Sequence, residues 1–204
     1  MKSRSSATLL TGEGHLRPDK ACCDPQAVIA ACAGAGLRPL RPEEVAPARQ
    51  AATARLGEGI ASAACFGAVH ELTGGAALFG YDHEAKLSGF LGGFPVRAAA
   101  VPQLLAGRFN GVEVDLDLVA RPGETPAAWY GWGFTATGRR AAAAVVRGAQ
   151  TVRDGLFWAV PAFTRAATGD GERVILGRLG YVRLPGSLDA SMMWKPAASA
   201  GRTP

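Results

Sequence analysis

The sequence lacks a hydrophobic run long enough to cross a bilayer, which requires about 18 consecutive apolar residues. It also lacks a sustained apolar stretch after its first basic residues, because the opening MKSRSSATLL leads directly into the polar TGEGHLRPDK. Secretory signals carry such a stretch. The sequence therefore predicts a soluble protein that makes no membrane contact and stays in the cytoplasm.

Cysteine and histidine are scarce, and their spacing does not suit metal binding. The four cysteines are Cys22, Cys23, Cys32 and Cys65, and the three histidines are His15, His70 and His83. No CxxC pair is present, and adjacent cysteines do not suit an ordinary disulfide framework. The expected state is reduced thiols, with no zinc or iron site.

Charged residues are also few, at 19% against 48% hydrophobic residues, which excludes an intrinsically disordered chain. A length of 204 residues predicts one globular domain, residues 25–204, preceded by a flexible polar arm, residues 1–24. Residues 121–204 carry 11 Lys and Arg against 5 Asp and Glu, whereas residues 1–120 carry 11 against 12. A phosphate-bearing partner would be attracted to the second half, whether nucleic acid or a phosphorylated cofactor.

The first part of the chain shows two helical segments, a hairpin and an acidic alternation. Asp24 and Pro25 predict the start of a helix, and a second helix follows over EEVAPARQAATARLGEG, interrupted early by Pro47. The segments AALFGYDHEA and KLSGFLGGFPV predict an antiparallel hairpin. The alternation VEVDLDLV at 112–119 predicts a strand whose second face carries acidic residues.

The last third predicts strand, helix, strand, helix and closing strands. In the first strand, PAAWYGWGFTA, Tyr130, Trp132 and Phe134 are expected on one face, and the glycines between them indicate a bulge or a close approach of another molecule. The helix RRAAAAVVRGAQTVRD, the strand GLFWAVPA and a helix capped by Thr168 or Asp170 follow. Strands at YVRL and SMMWK close the chain.

This order of elements over residues 36–196 resembles the GNAT superfamily of N-acetyltransferases, of which the chain looks like a divergent member. Three segments carry the likeness: LRPLRPEE, GFTATGRRAAAAVV and ATGDGERVILGRLGYVRL. The resemblance implies an α/β fold of the α+β type, with a mixed, mostly antiparallel central sheet flanked by helices. It also implies acetyl-CoA or another acyl-CoA as co-substrate.

In that superfamily the fourth strand splays from the fifth, pantetheine lies in the gap, and the pyrophosphate binds the first amides of the following helix. A helix start suits an anion because its amides are unpaired and carry about half a positive charge. The resemblance places this site at Phe134, Thr135, Ala136, Thr137, Gly138, Arg139 and Arg140. The usual loop has Gln or Arg and a second Gly or Ala where this chain has Thr135 and Arg140.

Acyl transfer to an amine needs a base, and the sequence does not single one out. Candidate bases are Glu113, Asp115, Asp117, Glu124, His70 and His83, and candidate acids are Tyr130 and Tyr181. The acid tyrosine that many members carry is Leu176 here. The expected acceptor is an amine of a small molecule or peptide, and a homodimer is possible.

Two other classes of function stay open at this stage. The degenerate loop and the missing tyrosine are also consistent with a non-catalytic GNAT-like binding or regulatory module. Nucleic-acid binding through the basic half is disfavoured, because its arginines are not interleaved with an exposed aromatic stripe.

Overall fold

The computed structural model describes residues 9–10, 16–17 and 22–198. Strand β1, Leu9–Leu10, pairs antiparallel with β2, Leu16–Arg17, and the rest of residues 1–21 of the predicted arm lies outside the described residues. Cys23 is buried, and its backbone N–H donates to Glu124 O at 3.0 Å while its carbonyl accepts from Gly123 N at 2.8 Å. The chain is therefore joined to the domain from Cys23 onward.

Three helices form before the main sheet begins. Helix α1, Pro25–Gly34, begins where predicted because Asp24 Oδ1 accepts from the second and third amides after it. Strand β3 is Arg38–Pro39, and helix α2, Pro42–Leu56, runs through Pro47 without the predicted interruption. Helix α3, Ala63–Leu72, was not predicted from the sequence, and Ser62 caps it through Cys65 N.

Seven strands form one mixed sheet in the order β3-β4-β5-β6-β7-β9-β8. The remaining strands are β4 Leu78–His83, β5 Lys86–Val96, β6 Ala128–Ala136, β7 Ala162–Arg165, β8 Val182–Arg183 and β9 Met192–Lys195. Every neighbouring pair is antiparallel except β6 and β7, which are parallel. The predicted α/β class, with a mostly antiparallel sheet, is confirmed.

Helices cover both faces of this sheet and bury two hydrophobic clusters. Helices α2 and α3 cover one face, and α1, α5 (Arg139–Gln150) and α6 (Gly169–Gly177) cover the other. A short helix α4, Val101–Leu105, follows β5. Each cluster contains fully buried aromatic side chains, and burying one such side chain stabilises the fold by about 2–3 kcal/mol.

The acidic alternation at 112–119 is not a strand. Its backbone forms irregular turns that end in a 3-10 turn, Leu116–Leu118. The side chains of Asn110 and Asp115 accept from amides two residues further on, and such local bonds compete with strand pairing. Val114 and Leu118 are buried whereas Val112 and Leu116 are exposed, so the apolar residues of this segment do not share one face.

The prediction of a strand at GLFWAVPA is also wrong. Helix α5 continues as a π-helical segment, Thr151–Leu156, and β7 begins only at Ala162. Phe157 is fully buried, which explains why the segment has the hydrophobic composition of a strand. The π segment extends the helical region to Leu156, and residues 157–161 form a turn before β7, so β7 begins later than predicted.

A β-bulge at Trp132 changes the face that β6 presents. The register with β5 pairs Gly92 with Gly133 and Gly93 with Gly131, so Trp132 is the extra residue. Such a bulge in β6 was predicted from its glycines. The predicted shared face of Tyr130, Trp132 and Phe134 is wrong for Phe134, which packs against the cluster on the α5 face while the other two lie on the α2 face.

Candidate functional site

The parallel strands β6 and β7 separate in the middle of β6. Pairing covers only Trp129 to Gly131 against Ala162 to Thr164, and Thr164 Oγ1 donates to Gly131 O at 2.8 Å where it ends. Strand β6 then continues to Ala136 without β7 beside it. A cleft of about 920 Å³ opens there and is lined by residues from both faces of the sheet.

Helix α5 begins beside this cleft with its first amides unoccupied. Gly138, at φ +84°, precedes the helix, and no side chain caps it. Within the described part of the chain, no hydrogen bond reaches the amides of Gly138, Arg139 and Arg140. Helix α6, on the other side of the cleft, is capped by Thr168 Oγ1, which accepts from Gly171 N at 3.1 Å.

The turn before α5 is held by contacts that leave these amides free. Thr137 N donates to Ser88 O at 2.6 Å, and Arg55 donates through Nη2 to Thr137 Oγ1 at 2.7 Å. Arg139 and Arg140 are exposed. The turn is thus fixed by its neighbours while positive charge and free N–H groups face solvent.

Backbone groups of β6 also face the cleft. Residues of antiparallel strands alternate between those that bond the neighbouring strand and those whose N–H and C=O point away. The bond from Thr137 N to Ser88 O fixes this alternation at the end of β6. The N–H groups of Phe134 and Ala136 therefore point toward the gap left by β7, and Arg55 Nη1 reaches Ala136 O there at 3.1 Å.

The structure places the predicted cofactor residues along one path. Phe134, Thr135 and Ala136 line the cleft, and Ala142 of α5 continues its wall. The other four residues of the set, 137–140, are exposed at its α5 end. Their contact with a cofactor stays a prediction.

Two aromatic side chains line the cleft on the α2 face. Trp132 Nε1 donates to Gly111 O at 2.6 Å, which fixes the indole. Tyr130 is buried, and burial raises the pKa of its hydroxyl to about 12. Among the residues that the structure describes, no partner hydrogen-bonds Tyr130 Oη, and any side chain at Gly111 would displace it, because a Cβ there would lie 2.5 Å from Oη.

An arginine, an aspartate and a serine at the cleft were missed in the sequence. Arg165 Nε lies 2.8 Å from Asp189 Oδ2, and its Nη2 donates to Phe109 O at 2.8 Å. Ser191 donates to Asp189 Oδ1 through N and Oγ, at 2.8 and 2.7 Å. Burial acts to raise the pKa of Asp189, but these hydrogen bonds and the charge of Arg165 lower it below its usual value. No sequence motif joins these residues, because the pairing of β7 with β9 brings them together.

Most of the acidic candidates lie away from the cleft. Glu113 and Asp115 line a separate shallow groove beside the half-buried Cys65. Asp117 is exposed. Glu124 accepts from the guanidinium of Arg97, which lowers the pKa of that carboxyl to about 2.

The histidines and Tyr181 have other places in the fold. His70 is buried, accepts from Leu78 N at 3.1 Å on Nδ1 and bonds Leu40 O at 2.9 Å through Nε2, and burial lowers its pKa. His83 ends β4, with Nε2 3.9 Å from a carboxylate oxygen of Glu84. Tyr181 is buried on the α5 face, and burial raises its pKa.

Two kinds of feature are absent from the described ranges. No helix there has both the length and the apolar composition needed to cross a membrane. No group of three or more His, Cys, Asp or Glu side chains there could hold a metal ion. The cytoplasmic location and the homodimer stay predictions.

Comparison with known proteins gives only distant structural likeness. No protein-family model matches the chain, and no curated protein matches it. One similar solved structure is the GphF GNAT-like decarboxylase in complex with isobutyryl-CoA, 18% identical, with a TM-score of 0.46 over 79% of this chain and 99% of that one. Another is described as an acetyltransferase, 13% identical, with a TM-score of 0.44 over 79% of this chain and 99% of that one. At these scores neither likeness decides the function, which has to be argued from the site.

Proposed function

We propose that this protein binds acyl-CoA in the cleft between β6 and β7 and transfers the acyl group to an amine of a small molecule or peptide. One observation carries the proposal: two neighbouring strands part directly beside the uncapped N-terminus of α5. An open slot through a sheet suits a narrow pantetheine arm, and free amides with adjacent arginines suit a diphosphate. This is the arrangement that the GNAT resemblance implies.

Backbone groups can bind the cofactor and polarise its thioester carbonyl. The diphosphate would bind the amides of Gly138, Arg139 and Arg140, and pantetheine would extend along β6 in place of the absent β7 pairing. The N–H of Phe134, which points into the gap, is placed to donate to a thioester carbonyl. A fixed donor at that oxygen stabilises the charge that develops in the transition state.

The acceptor would enter from the α2 face, where Tyr130 and Trp132 line the cleft. Tyr130 Oη, which no described residue hydrogen-bonds, would protonate the leaving thiolate. Asp189 is a weak base because its carboxylate is already bonded by Arg165 and Ser191. We therefore expect an acceptor amine that is unprotonated near neutral pH.

A non-catalytic acyl-CoA-binding module is the second candidate. It is favoured by the pairing of both carboxylates that line the cleft, Asp189 with Arg165 and Asp170 with Arg173, and by Leu176 at the position of the usual acid. Both candidates require acyl-CoA binding in the cleft. Release of CoA thiol from acetyl-CoA in the presence of amines separates them, since only the enzyme gives turnover.

Ala142→Glu tests the cleft directly. Ala142 lines the cleft in the first turns of α5, so a carboxylate there would oppose the diphosphate. Ala143→Glu is the matched control, because Ala143 is exposed, lies one residue further along the same helix and is outside the cleft lining. We expect acetyl-CoA affinity, measured by isothermal titration calorimetry, to fall about tenfold or more in the first variant and less than about threefold in the control.

Neutralising Arg139 and Arg140 together to alanine should weaken binding by a smaller factor, because exposed charges are screened by solvent and salt. Wild-type protein that shows no saturable binding at millimolar acetyl-CoA would overturn the proposal. Equal losses of acetyl-CoA affinity in Ala142→Glu and Ala143→Glu would show that acyl-CoA does not bind in the cleft.

A further inference from the structure

A narrow cavity of about 40 Å³ lies beside the cleft, under the paired part of β6 and β7 on the α5 face. Gly131 and Thr164, where the two strands part, line one end of it, and Phe134 lines both the cavity and the cleft. The walls are mainly apolar and come from α1, α5, the π-helical segment 151–156 and Tyr181. The cavity is therefore adjacent to the point where a thioester would sit.

A buried guanidinium without a carboxylate partner lines this cavity. Arg153 is 4% exposed, and its Nη1 and Nη2 donate to the carbonyls of Phe157 and Pro196 at 2.9 and 2.8 Å. Its Nε is buried and has no hydrogen-bond partner among the residues that the structure describes. A buried N–H without a partner costs about 1–3 kcal/mol, more on a charged group, so this position favours an acceptor from outside the chain.

The nearest acidic side chain is already engaged. Asp154 accepts from Lys195 Nζ through both carboxylate oxygens, at 2.8 and 3.1 Å, and both residues line the cavity. None of the ion pairs found within residues 22–198 includes Arg153. Burial lowers the pKa of Arg153, but the side chain of an arginine stays protonated in proteins. The cavity thus has apolar walls and an uncompensated positive charge.

The register of the sheet gives the distance between the two ends. Thr164, where the strands separate, and Lys195 both line the cavity, and Lys195 pairs with Ala162, two residues before Thr164. Arg153 binds the carbonyl of Pro196, the residue after Lys195. Two residues of strand span about 7 Å. That is the length of a chain of roughly four to five carbon atoms.

We propose that this cavity holds a short acyl chain that ends in a carboxylate, with Arg153 Nε donating to that carboxylate and the thioester lying where β6 and β7 separate. The inference rests on the proposed acyl-CoA binding in the cleft and names its substrate class: carboxyacyl-CoA in preference to acetyl-CoA. The apolar walls hold the methylene groups, and Arg153 Nε supplies the donor for the carboxylate.

Two thioesters of equal chain length, glutaryl-CoA and pentanoyl-CoA, test the proposed carboxylate site. Their acyl chains differ only at the end, where the first has a carboxylate and the second a methyl group. We expect calorimetry to show glutaryl-CoA binding about tenfold more tightly than pentanoyl-CoA. Arg153→Met should reverse or abolish this preference while acetyl-CoA affinity stays the same. Because Arg153 also holds two carbonyls, the folding of this variant is checked by its thermal transition.

Ala149→Leu is the second variant, since Ala149 lines the cavity and the change fills it while keeping the Arg153 side chain. It should remove the preference for glutaryl-CoA and leave acetyl-CoA affinity unchanged. Ala143→Leu, an exposed position on the same helix, is the matched control and should keep the preference.

Equal binding of glutaryl-CoA and pentanoyl-CoA, with acetyl-CoA still bound, would overturn the carboxylate site and leave the proposed function standing. Binding of none of the three thioesters would overturn both. Thermal stabilisation by free glutarate without any by glutaryl-CoA would overturn the assignment to an acyl chain. If the cavity held only water, wild type and Ala149→Leu would bind glutaryl-CoA with the same affinity, and that result would overturn the carboxylate site.

Discussion

The two halves of the described chain treat their buried polar groups differently. In residues 22–127, His70 uses both ring nitrogens, and Arg38 is bonded to Glu44 and Asp82. Bonds from Arg38 and Arg41 hold the pKa of the Glu44 carboxyl well below its usual range. In residues 128–198 the amides that begin α5 are free. Two buried side-chain nitrogens here, Arg153 Nε and Trp194 Nε1, have no partner in the described structure, and Arg165 Nε has only its ion pair with Asp189.

This difference divides the described chain into a scaffold, residues 22–127, and a binding region, residues 128–198. A buried donor that already has a partner stabilises the fold, whereas one without a partner destabilises it until a ligand arrives. The free amides at the start of α5 lie at one end of the cleft, and Arg153 Nε lies at the cavity, whereas Trp194 Nε1 belongs to β9 and lines neither. Changes in the first half should therefore alter stability, and changes in the second half should alter binding.

The largest expected effect is on stability, from His70→Phe. The variant leaves Leu40 O and Leu78 N without their partner in the core. We expect the free energy of unfolding, measured with urea, to fall by about 2–4 kcal/mol. Acetyl-CoA affinity of the folded protein should not change, because His70 is outside the cleft lining.

His83→Gln is the control, since His83 is exposed and its replacement should change stability by less than about 0.5 kcal/mol. A His70→Phe variant that keeps its stability but loses affinity would break the division between scaffold and binding region.

A smaller effect should follow from acidification. Burial lowers the folded-state pKa of His70, against a weaker opposing effect of the bond to Leu40 O. Between that pKa and the unfolded value of about 6.5, the unfolded chain binds more protons than the folded chain. The contribution of neutral His70 is therefore fully present above pH 6.5 and falls by up to about 1.4 kcal/mol per pH unit below it.

Urea unfolding of wild type and His70→Phe at pH 7.5 and 5.5 measures this contribution. Wild type should lose more stability than the variant over that interval. An equal loss in both would show that the imidazole is not the group that titrates, and the scaffold would then depend on other contacts.

Local signals in the sequence predicted much of the fold. Asp24 and Thr168 begin helices where short-range capping rules place them, and Gly180, at φ +70°, follows the end of α6 as expected of a helix stop. The α5 face, with Ala141 and Val145 buried, follows from the helical period alone. These features depend on residues close together in the chain.

The rest depends on contacts between distant segments. The bulge at Trp132 reverses the side on which Phe134 lies, and only the pairing with β5 fixes it. The 112–119 segment alternates like a strand but has no strand beside it, apart from a single bridge at Val119. The Arg165–Asp189 pair and the cavity at Arg153 arise from strand pairing and a π segment that no pattern in the sequence predicted.

The central claim is that the start of α5 binds the diphosphate of CoA. An NMR titration of ¹⁵N-labelled protein with acetyl-CoA tests it at single amides. We expect the resonances of Gly138, Arg139 and Arg140 to shift saturably, with Phe134 following and Glu113 unmoved. Saturable binding that leaves the Gly138–Arg140 amides unshifted would contradict the account.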